Sequence, residues 1–306
     1  MRMWFRVFRV LRPMWGLVSA RGGPGSTPAK RIRQKPPWFA IFLVLIFLVA
    51  VVFGPWIIPH DPFQTDLDKA ILPPVWQEGG QSAYLLGTDA MGRDILSRLI
   101  YGARITLLVS LFAIGLTGLI GVVLGLLSGY FGGVVDMVIM RLTDILLSLP
   151  PIMMALLLAA ILEPSLLTVV LAIALTAWTQ YARLVRGEVL SLKEKDFVRL
   201  ARVAGSSNWR IMLSHIFPNV VNMLIILVTL EVGRVIILAA TLSFLGLGLQ
   251  PPSAAWGLML SEGRKYITYA WWLVTFPGIA ILITVLGFNL TGDWLRDVLD
   301  PKQKLR

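Results

Sequence analysis

The sequence of 306 residues contains no cysteine and only two histidines, and charged residues make up 15% of it. Without cysteine there is no thiol nucleophile, zinc–thiolate site or redox switch, and two histidines do not favour a histidine-based metal centre, so we predict no metal site. Soluble globular domains contain about 25% charged residues. With 57% hydrophobic residues and a mean hydropathy of +0.76, the sequence is typical of a polytopic membrane protein.

Six apolar runs are long enough to cross a membrane, because about 20 helical residues span a hydrocarbon core about 30 Å thick. The third run contains Pro150-Pro151, which removes two backbone donors and predicts a kink. We therefore predict an all-α protein with six transmembrane helices, at residues 38–58, 105–127, 145–162, 166–181, 220–249 and 271–290.

The basic residues, 28 Lys and Arg against 17 Asp and Glu, are distributed by loop. Residues 1–37 contain nine basic residues and no acidic one, and residues 183–214 contain seven basic and three acidic residues. Residues 59–103 contain three basic and six acidic residues. Because Lys and Arg collect in cytoplasmic loops, both termini and 183–214 are predicted to be cytoplasmic, and 59–103 and 250–270 extracytoplasmic. The basic charge thus indicates membrane topology, and no nucleic-acid partner is predicted.

The predicted organisation is a basic cytoplasmic tail (1–36), a first transmembrane helix (37–58), an extracytoplasmic segment (59–103), a core of five helices (104–296) and a cytoplasmic tail (297–306). The first 18 residues fit either a basic amphipathic helix on membrane lipid or a simple tail. Within 59–103 we predict an amphipathic helix at the membrane interface. Its apolar face is Met91, Ile95, Leu96, Leu99 and Ile100, and its polar face is Arg93, Asp94, Ser97 and Arg98.

The cytoplasmic segment 189–217 predicts two short helices joined by a turn at Gly205-Ser206-Ser207-Asn208, with Gly in a left-handed conformation and Ser or Asn as a cap. Each helix has an apolar stripe, and Pro218 is expected to end the second helix at the bilayer. These stripes either pack on the ends of the protein's own helices or dock into a partner. The stripes are Phe197, Leu200, Ala201 and Ala204, then Trp209, Met212, Leu213, Ile216 and Phe217.

Glu231 and Arg234 lie three residues apart inside the fifth span. Ionisable residues inside a membrane are costly and are usually paired or functional. They fit either a mutually satisfied pair or groups that face a translocation pathway or a partner subunit.

Residues 197–218 resemble the coupling-loop motif of bacterial ABC importer permeases, which reads Glu-Ala-Ala, three residues, Gly, nine residues and Ile-x-Leu-Pro. Gly205 and Pro218 have the spacing of this motif, while Arg199 replaces its Glu. Leu200, His215 and Phe217 also depart from it. Further stretches at 86–104, 242–272 and 289–301 resemble the dipeptide/oligopeptide/nickel permeases, C-type subunit, so that the resemblance covers about residues 36–303.

This resemblance implies a type I ABC importer permease fold in the cell inner membrane, with cytoplasmic coupling helices within about 186–217. It implies four kinds of partner: a second homologous permease subunit, two ATPase subunits, an extracytoplasmic substrate-binding protein and membrane lipid. We expect the Gly-rich second span (Gly115, Gly118, Gly121, Gly125) and Glu231 and Arg234 to be buried against the second permease. The residues implied to couple to the ATPases are Arg199, Leu200, Ala201, Gly205, Ser206, Ser207, Asn208 and Pro218.

The sequence has no Gly-x-x-x-x-Gly-Lys-Ser/Thr phosphate loop, so we expect no cofactor, no catalytic residue and no enzymatic activity, with ATP bound by the partner subunits. The implied substrates are di- and oligopeptides, with nickel or another small solute as the alternative. A secondary transporter is less favoured, because intramembrane charges occur in only one half of the chain.

Overall fold

A computed structural model describes residues 36–299, and all the named secondary-structure elements within that range are helices. Short 3₁₀ turns lie at Leu67–Lys69 and Arg264–Tyr266. The helices are α1 (Trp38–Ile57), α2 (Ile95–Phe131), α3 (Gly133–Ser148), α4 (Pro151–Ile161), α5 (Leu166–Leu192), α6 (Asp196–Val203), α7 (Asn208–Phe244), α8 (Trp256–Gly263) and α9 (Trp272–Leu299).

Five of these helices, α1, α2, α5, α7 and α9, are long and apolar enough to cross a membrane. Helices α3 and α4 together meet the same criterion but are bent by 93° at the break between them, which makes six spans if the pair counts as one. The break coincides with Pro150-Pro151, since α3 ends at Ser148 and α4 begins at Pro151. The all-α prediction is confirmed for the described residues, and the predicted kink is a complete break between two helices.

Helix α2 differs from the prediction, because its 37 residues run without a break from Ile95, inside the expected interfacial helix, through the second span, and Met91, Arg93 and Asp94 lie before its first residue. The predicted boundary between residues 103 and 104 therefore lies inside one helix. A Cβ added at Gly102 would lie 2.4 Å from the carbonyl oxygen of Ala254, so this part of α2 packs against another segment of the protein.

Helix α2 packs closely against α5 along a row of small residues. Gly121, Gly125 and Gly129 face α5, and a Cβ added at any of them would lie 2.4–2.7 Å from a side chain of that helix. Small residues allow helix backbones to approach this closely. The expectation that Gly121 and Gly125 face a second permease was wrong, because they are used in the protein's own core. Gly115 has open space around it.

Two tryptophans fix the ends of the helices through their indole N–H groups. Trp256 Nε1 donates to the carbonyl oxygen of Leu99 at 2.9 Å, and Trp272 Nε1 donates to that of Thr88 at 3.3 Å. Trp272 is 4% exposed. It is therefore a buried anchor, although a Trp271-Trp272 pair in the sequence suggests an aromatic belt in contact with lipid headgroups.

Candidate functional site

The segment between α5 and α7 lies at one end of the bundle, next to the C-terminal end of α2. Val198 of α6 is fully buried and joins a hydrophobic cluster with Ile211 and Met212 of α7. The other members of this cluster come largely from the ends of α2 and α5, among them Leu126, Tyr130, Val189 and Leu192. The segment is thus held firmly on the membrane helices.

The predicted stripe of α6 divides between its two alternatives. Ala201 packs on the cluster beside Val198, whereas Phe197 and Leu200 are exposed, as a surface that docks into a partner would be. Five apolar side chains point away from the cluster on the two sides of the turn, and we call them the apolar tip: Phe197, Leu200, Val203, Trp209 and Leu213. Leu200 is 67% exposed and Val203 86% exposed, so the described residues leave most of these two side chains uncovered.

The predicted turn is confirmed. Gly205 has φ +78°, and the amides of Gly205 and Ser206 donate to the carbonyl oxygens of Arg202 and Ala201 at 3.0 and 3.1 Å, so that they close the end of α6. Ser207 is the N-cap of α7, where its Oγ accepts from the amide of Arg210 at 3.4 Å.

Two polar contacts flank this turn. Asn208 Oδ1 accepts from the Tyr130 hydroxyl at 2.9 Å, which connects the start of α7 to the end of α2. Arg199, which replaces the Glu of the coupling motif, donates from Nη2 to Glu194 Oε2 at 2.9 Å. This hydrogen bond lowers the pKa of the Glu194 carboxyl.

Pro218 does not end a helix, contrary to the prediction. A π-helical turn at Ile211–Ile216 ends two residues before it, and α7 continues through Pro218 to Phe244 as one helix of 37 residues. At 1.5 Å per residue this helix is about 55 Å long. The turn at Gly205 is therefore connected directly to a membrane-spanning helix.

A cleft lies about half-way along α5 and α7, beside the break between α3 and α4. It encloses about 30 Å³, and most of its walls are apolar. Gln180, Glu231 and Arg234 are its polar contacts, together with the Thr176 hydroxyl.

Glu231 and Arg234 interact, as the sequence suggested, but Gln180 is a third member of the group. Arg234 Nη1 donates to Gln180 Oε1 at 2.6 Å and to Glu231 Oε1 at 3.4 Å. The Glu231 side chain is 9% exposed, whereas that of Arg234 is 51% exposed. The Glu231 carboxyl is thus enclosed by the helices, whereas the Arg234 side chain is half-exposed.

Four charged residues form a charged cluster at the opposite end of α2: Asp89, Arg93, Arg98 and Glu262. Arg93 Nε lies 2.6 Å from Asp89 Oδ2, and Arg93 Nη2 lies 3.0 Å from Glu262 Oε2. Arg98 has no exposed surface. It also donates to the carbonyl oxygens of Pro62, Pro252 and Ser253, at 3.2, 3.4 and 3.0 Å.

The charged cluster contradicts the predicted polar face of an interfacial helix. Arg93, Asp94, Ser97 and Arg98 are all buried, because the 59–94 and 250–263 segments cover them. Gly87 and Gly92 make this covering possible: both have positive φ, and a Cβ on either would overlap a backbone carbonyl oxygen. Within residues 36–299, no group of three His, Asp or Glu side chains is arranged to hold a metal ion.

Comparison with known proteins identifies the family. Residues 121–305 match the model of the binding-protein-dependent transport system inner membrane component, and residues 32–74 match that of the N-terminal TM domain of oligopeptide transport permease C. The chain belongs to this family of permeases. It is a multi-pass inner-membrane protein.

Named relatives match this permease over most of their length. The dipeptide transport system permease protein DppC of Escherichia coli strain K12 is 48% identical over 89% of this chain and 91% of its own. The di/tripeptide permease DppC of Pseudomonas aeruginosa is 46% identical over 86% and 87%. The glutathione permease GsiD of Pectobacterium atrosepticum is 42% identical over 89% of each chain.

A solved structure supports the fold. A chain of the MetNI methionine ABC transporter, in an inward-facing conformation, matches the permease with a TM-score of 0.55. The match covers 67% of this chain and 98% of that one at 16% identity, so it concerns the fold alone.

The structure places the residues predicted for coupling, apart from Pro218, on and beside one turn of the permease, and it places Glu231 and Arg234 in a separate cleft. Sequence reasoning missed Val203 of the tip, because it lies on the otherwise charged face of α6. It also missed Gln180, whose distance of 54 residues from Arg234 leaves no local signal.

Proposed function

We propose that this permease forms half of the translocation pathway of an importer for di- or oligopeptides. The observation that carries the substrate class is its identity of 42–48% with permeases named for dipeptides, di/tripeptides and glutathione, over 86–89% of the chain. Nickel or another small solute is the alternative substrate.

The proposed partners are a second homologous permease, two ATPases that bind the ATP, and an extracytoplasmic substrate-binding protein. The apolar tip supports ATPase docking, because exposed apolar side chains on a rigid support commonly mark protein interfaces. Arg199, Arg202 and Arg210 surround the tip, so a groove with apolar walls and acidic edges would complement it. The permease itself contributes no catalytic residue and no cofactor.

The proposed orientation places the apolar tip and both termini in the cytoplasm and the charged cluster outside. The excess of basic residues at 183–214 supports this orientation. The cleft then lies near the middle of the membrane. Because half of the Arg234 side chain is exposed there, we infer that water or the second permease, and not lipid, covers that face.

The substrate class can be tested with the complete importer in proteoliposomes. ATP-dependent uptake of radiolabelled dialanine, with its binding protein present, is the expected result. Uptake of nickel without uptake of any peptide would contradict the substrate class and leave the fold and partners unaffected.

ATPase docking is tested by Leu200→Asp, with Leu67→Asp as a matched control. Both leucines are well exposed, at 67% and 69%, but Leu67 belongs to the segment at the other end of the bundle. We expect Leu200→Asp to prevent copurification of the ATPases and Leu67→Asp to leave it unchanged. Normal copurification with Leu200→Asp would reject the tip as the docking surface.

A further inference from the structure

Arg234 has one edge of its guanidinium occupied and one available. All its hydrogen bonds to the described residues come from Nη1, which donates to Gln180 and Glu231. Its Nε and Nη2 atoms, which form the opposite edge, take no part in these bonds. Arg234 lines the cleft, and half of its side chain is exposed.

We propose that this edge binds the carboxylate of the peptide as it passes the exposed side of Arg234. An edge made by Nε and Nη2 matches the two oxygens of a carboxylate, which it can bind with two parallel hydrogen bonds. The same chain shows this geometry elsewhere, because Arg186 contacts Asp136 through Nε and Nη2, the latter at 2.6 Å. The inference rests on the proposed peptide substrate and names the group of that substrate that is recognised.

The surroundings of Arg234 suit a single polar contact. The rest of the cleft is largely apolar, with Leu146, Met154, Val235 and Leu238 among its walls. Such walls accept many side chains, whereas the terminal carboxylate is common to all unmodified peptides. A site of this kind orients the substrate without selecting its sequence.

Glu231 and Gln180 are positioning residues in this arrangement. They hold Nη1 from the α5 and α7 side, which leaves Nε and Nη2 available to a ligand. Glu231 also carries the opposing charge, but its side chain is 9% exposed, so an incoming carboxylate meets Arg234 first. The nearby acid weakens the attraction, and a transport pathway requires contacts that release the substrate again.

The test uses the absence of cysteine in this chain. Thr176 lines the cleft, and Thr176→Cys places a single thiol there in the complete importer, assembled with cysteine-free partner subunits. Maleimide labelling is followed with increasing dialanine or dialanine amide, which lacks the carboxylate. We expect dialanine to slow labelling at least about tenfold more effectively than the amide, the effect of one charge-assisted hydrogen bond.

Variants assign the effect to Arg234. Arg234→Gln should abolish the difference between acid and amide, and Arg234→Lys, which keeps the charge but not the planar edge, should reduce it. Arg183→Gln is the control, because Arg183 is an exposed arginine that pairs with Asp144 outside the cleft, and it should leave the difference unchanged.

Three results would overturn the inference. Equal protection by acid and amide, or unaltered protection in Arg234→Gln, would exclude carboxylate recognition. A thiol that is unreactive even without peptide would show that the cleft is closed in the assembled importer. Dialanine uptake by the unmodified importer separates these outcomes from failure of the proposed function, since uptake would persist in all three cases.

Discussion

Arg98 connects three parts of the chain that are far apart in sequence. Its guanidinium donates to carbonyl oxygens near residues 62 and 252 and lies beside Asp89 and Glu262, while its own backbone belongs to α2. A buried charge with several partners contributes little net stability as a unit, but loss of one member leaves the others without partners. Arg98 therefore fixes the arrangement of two loops on a membrane helix.

We predict that Arg98→Met destabilises the purified complex by roughly 3–5 kcal/mol, the usual cost of removing one member of a buried ionic group. Thermal unfolding in detergent measures the loss. Arg104→Met is the control, because Arg104 is an exposed residue of the same helix. Equal losses in the two variants would mean that Arg98 has no special structural role.

At the scale of elements, the α2–α5 contact and the turn at Gly205 use glycine for different reasons. Gly125 needs space, since a Cβ there would lie 2.7 Å from Val185 Cβ and 2.8 Å from the carbonyl oxygen of Ala182. Gly205 needs its positive φ, and a Cβ there meets nothing within 4 Å. Substitutions at the two positions should therefore fail in different ways.

Gly125→Ala should force α2 and α5 apart and cost roughly 1–3 kcal/mol, the range for overpacking a filled core. Gly115→Ala in the same helix should be neutral or stabilising by up to about 1 kcal/mol, because alanine favours a helix and the space is open. The apparent melting temperature of the complex distinguishes them. A loss at Gly115 as large as that at Gly125 would show that another subunit covers Gly115.

For Gly205, the informative pair is Gly205→Asp and Gly205→Asn. Asn and Asp both tolerate the left-handed conformation better than other side chains, so the backbone cost is similar and of order 1 kcal/mol. Only Asp adds a charge between the two halves of the apolar tip.

We expect both Gly205 variants to insert in the membrane, Gly205→Asn to retain most ATPase stimulation by the loaded binding protein, and Gly205→Asp to abolish it. ATP hydrolysis by the reconstituted complex measures this. Normal stimulation in Gly205→Asp would exclude the turn as the coupling contact.

At the scale of the whole molecule, sequence reasoning succeeded where the signal is local. Apolar runs predicted the spanning helices, and Gly205 followed by Ser207 predicted the turn. Sequence reasoning failed where the residues in contact are far apart along the chain. The hydrogen-bond acceptors of Arg98 include backbone carbonyl oxygens more than 150 residues away, and such contacts leave no trace in side-chain patterns. Likewise, a stripe of glycines predicts a close helix contact but not whether the partner helix is in the same chain.

The orientation in the membrane is also a property of the whole molecule, and one pair of probes determines it. Tyr130 near one end of α2 contacts Asn208, and Arg98 near the other end contacts Ser253, so the two groups of connecting segments lie at opposite ends of one helix. The end with Asn208 includes the loop with seven basic and three acidic residues, which indicates the cytoplasmic side.

We therefore predict that an impermeant maleimide labels Glu78→Cys in intact spheroplasts and labels Ser207→Cys only after permeabilisation. Both positions are exposed, so differences in burial do not bias the comparison. Inverted vesicles should give the reverse pattern. Labelling of Ser207→Cys from outside intact spheroplasts would show that the orientation is the opposite of the proposed one. The apolar tip would then lie on the outside, where no ATPase could reach it.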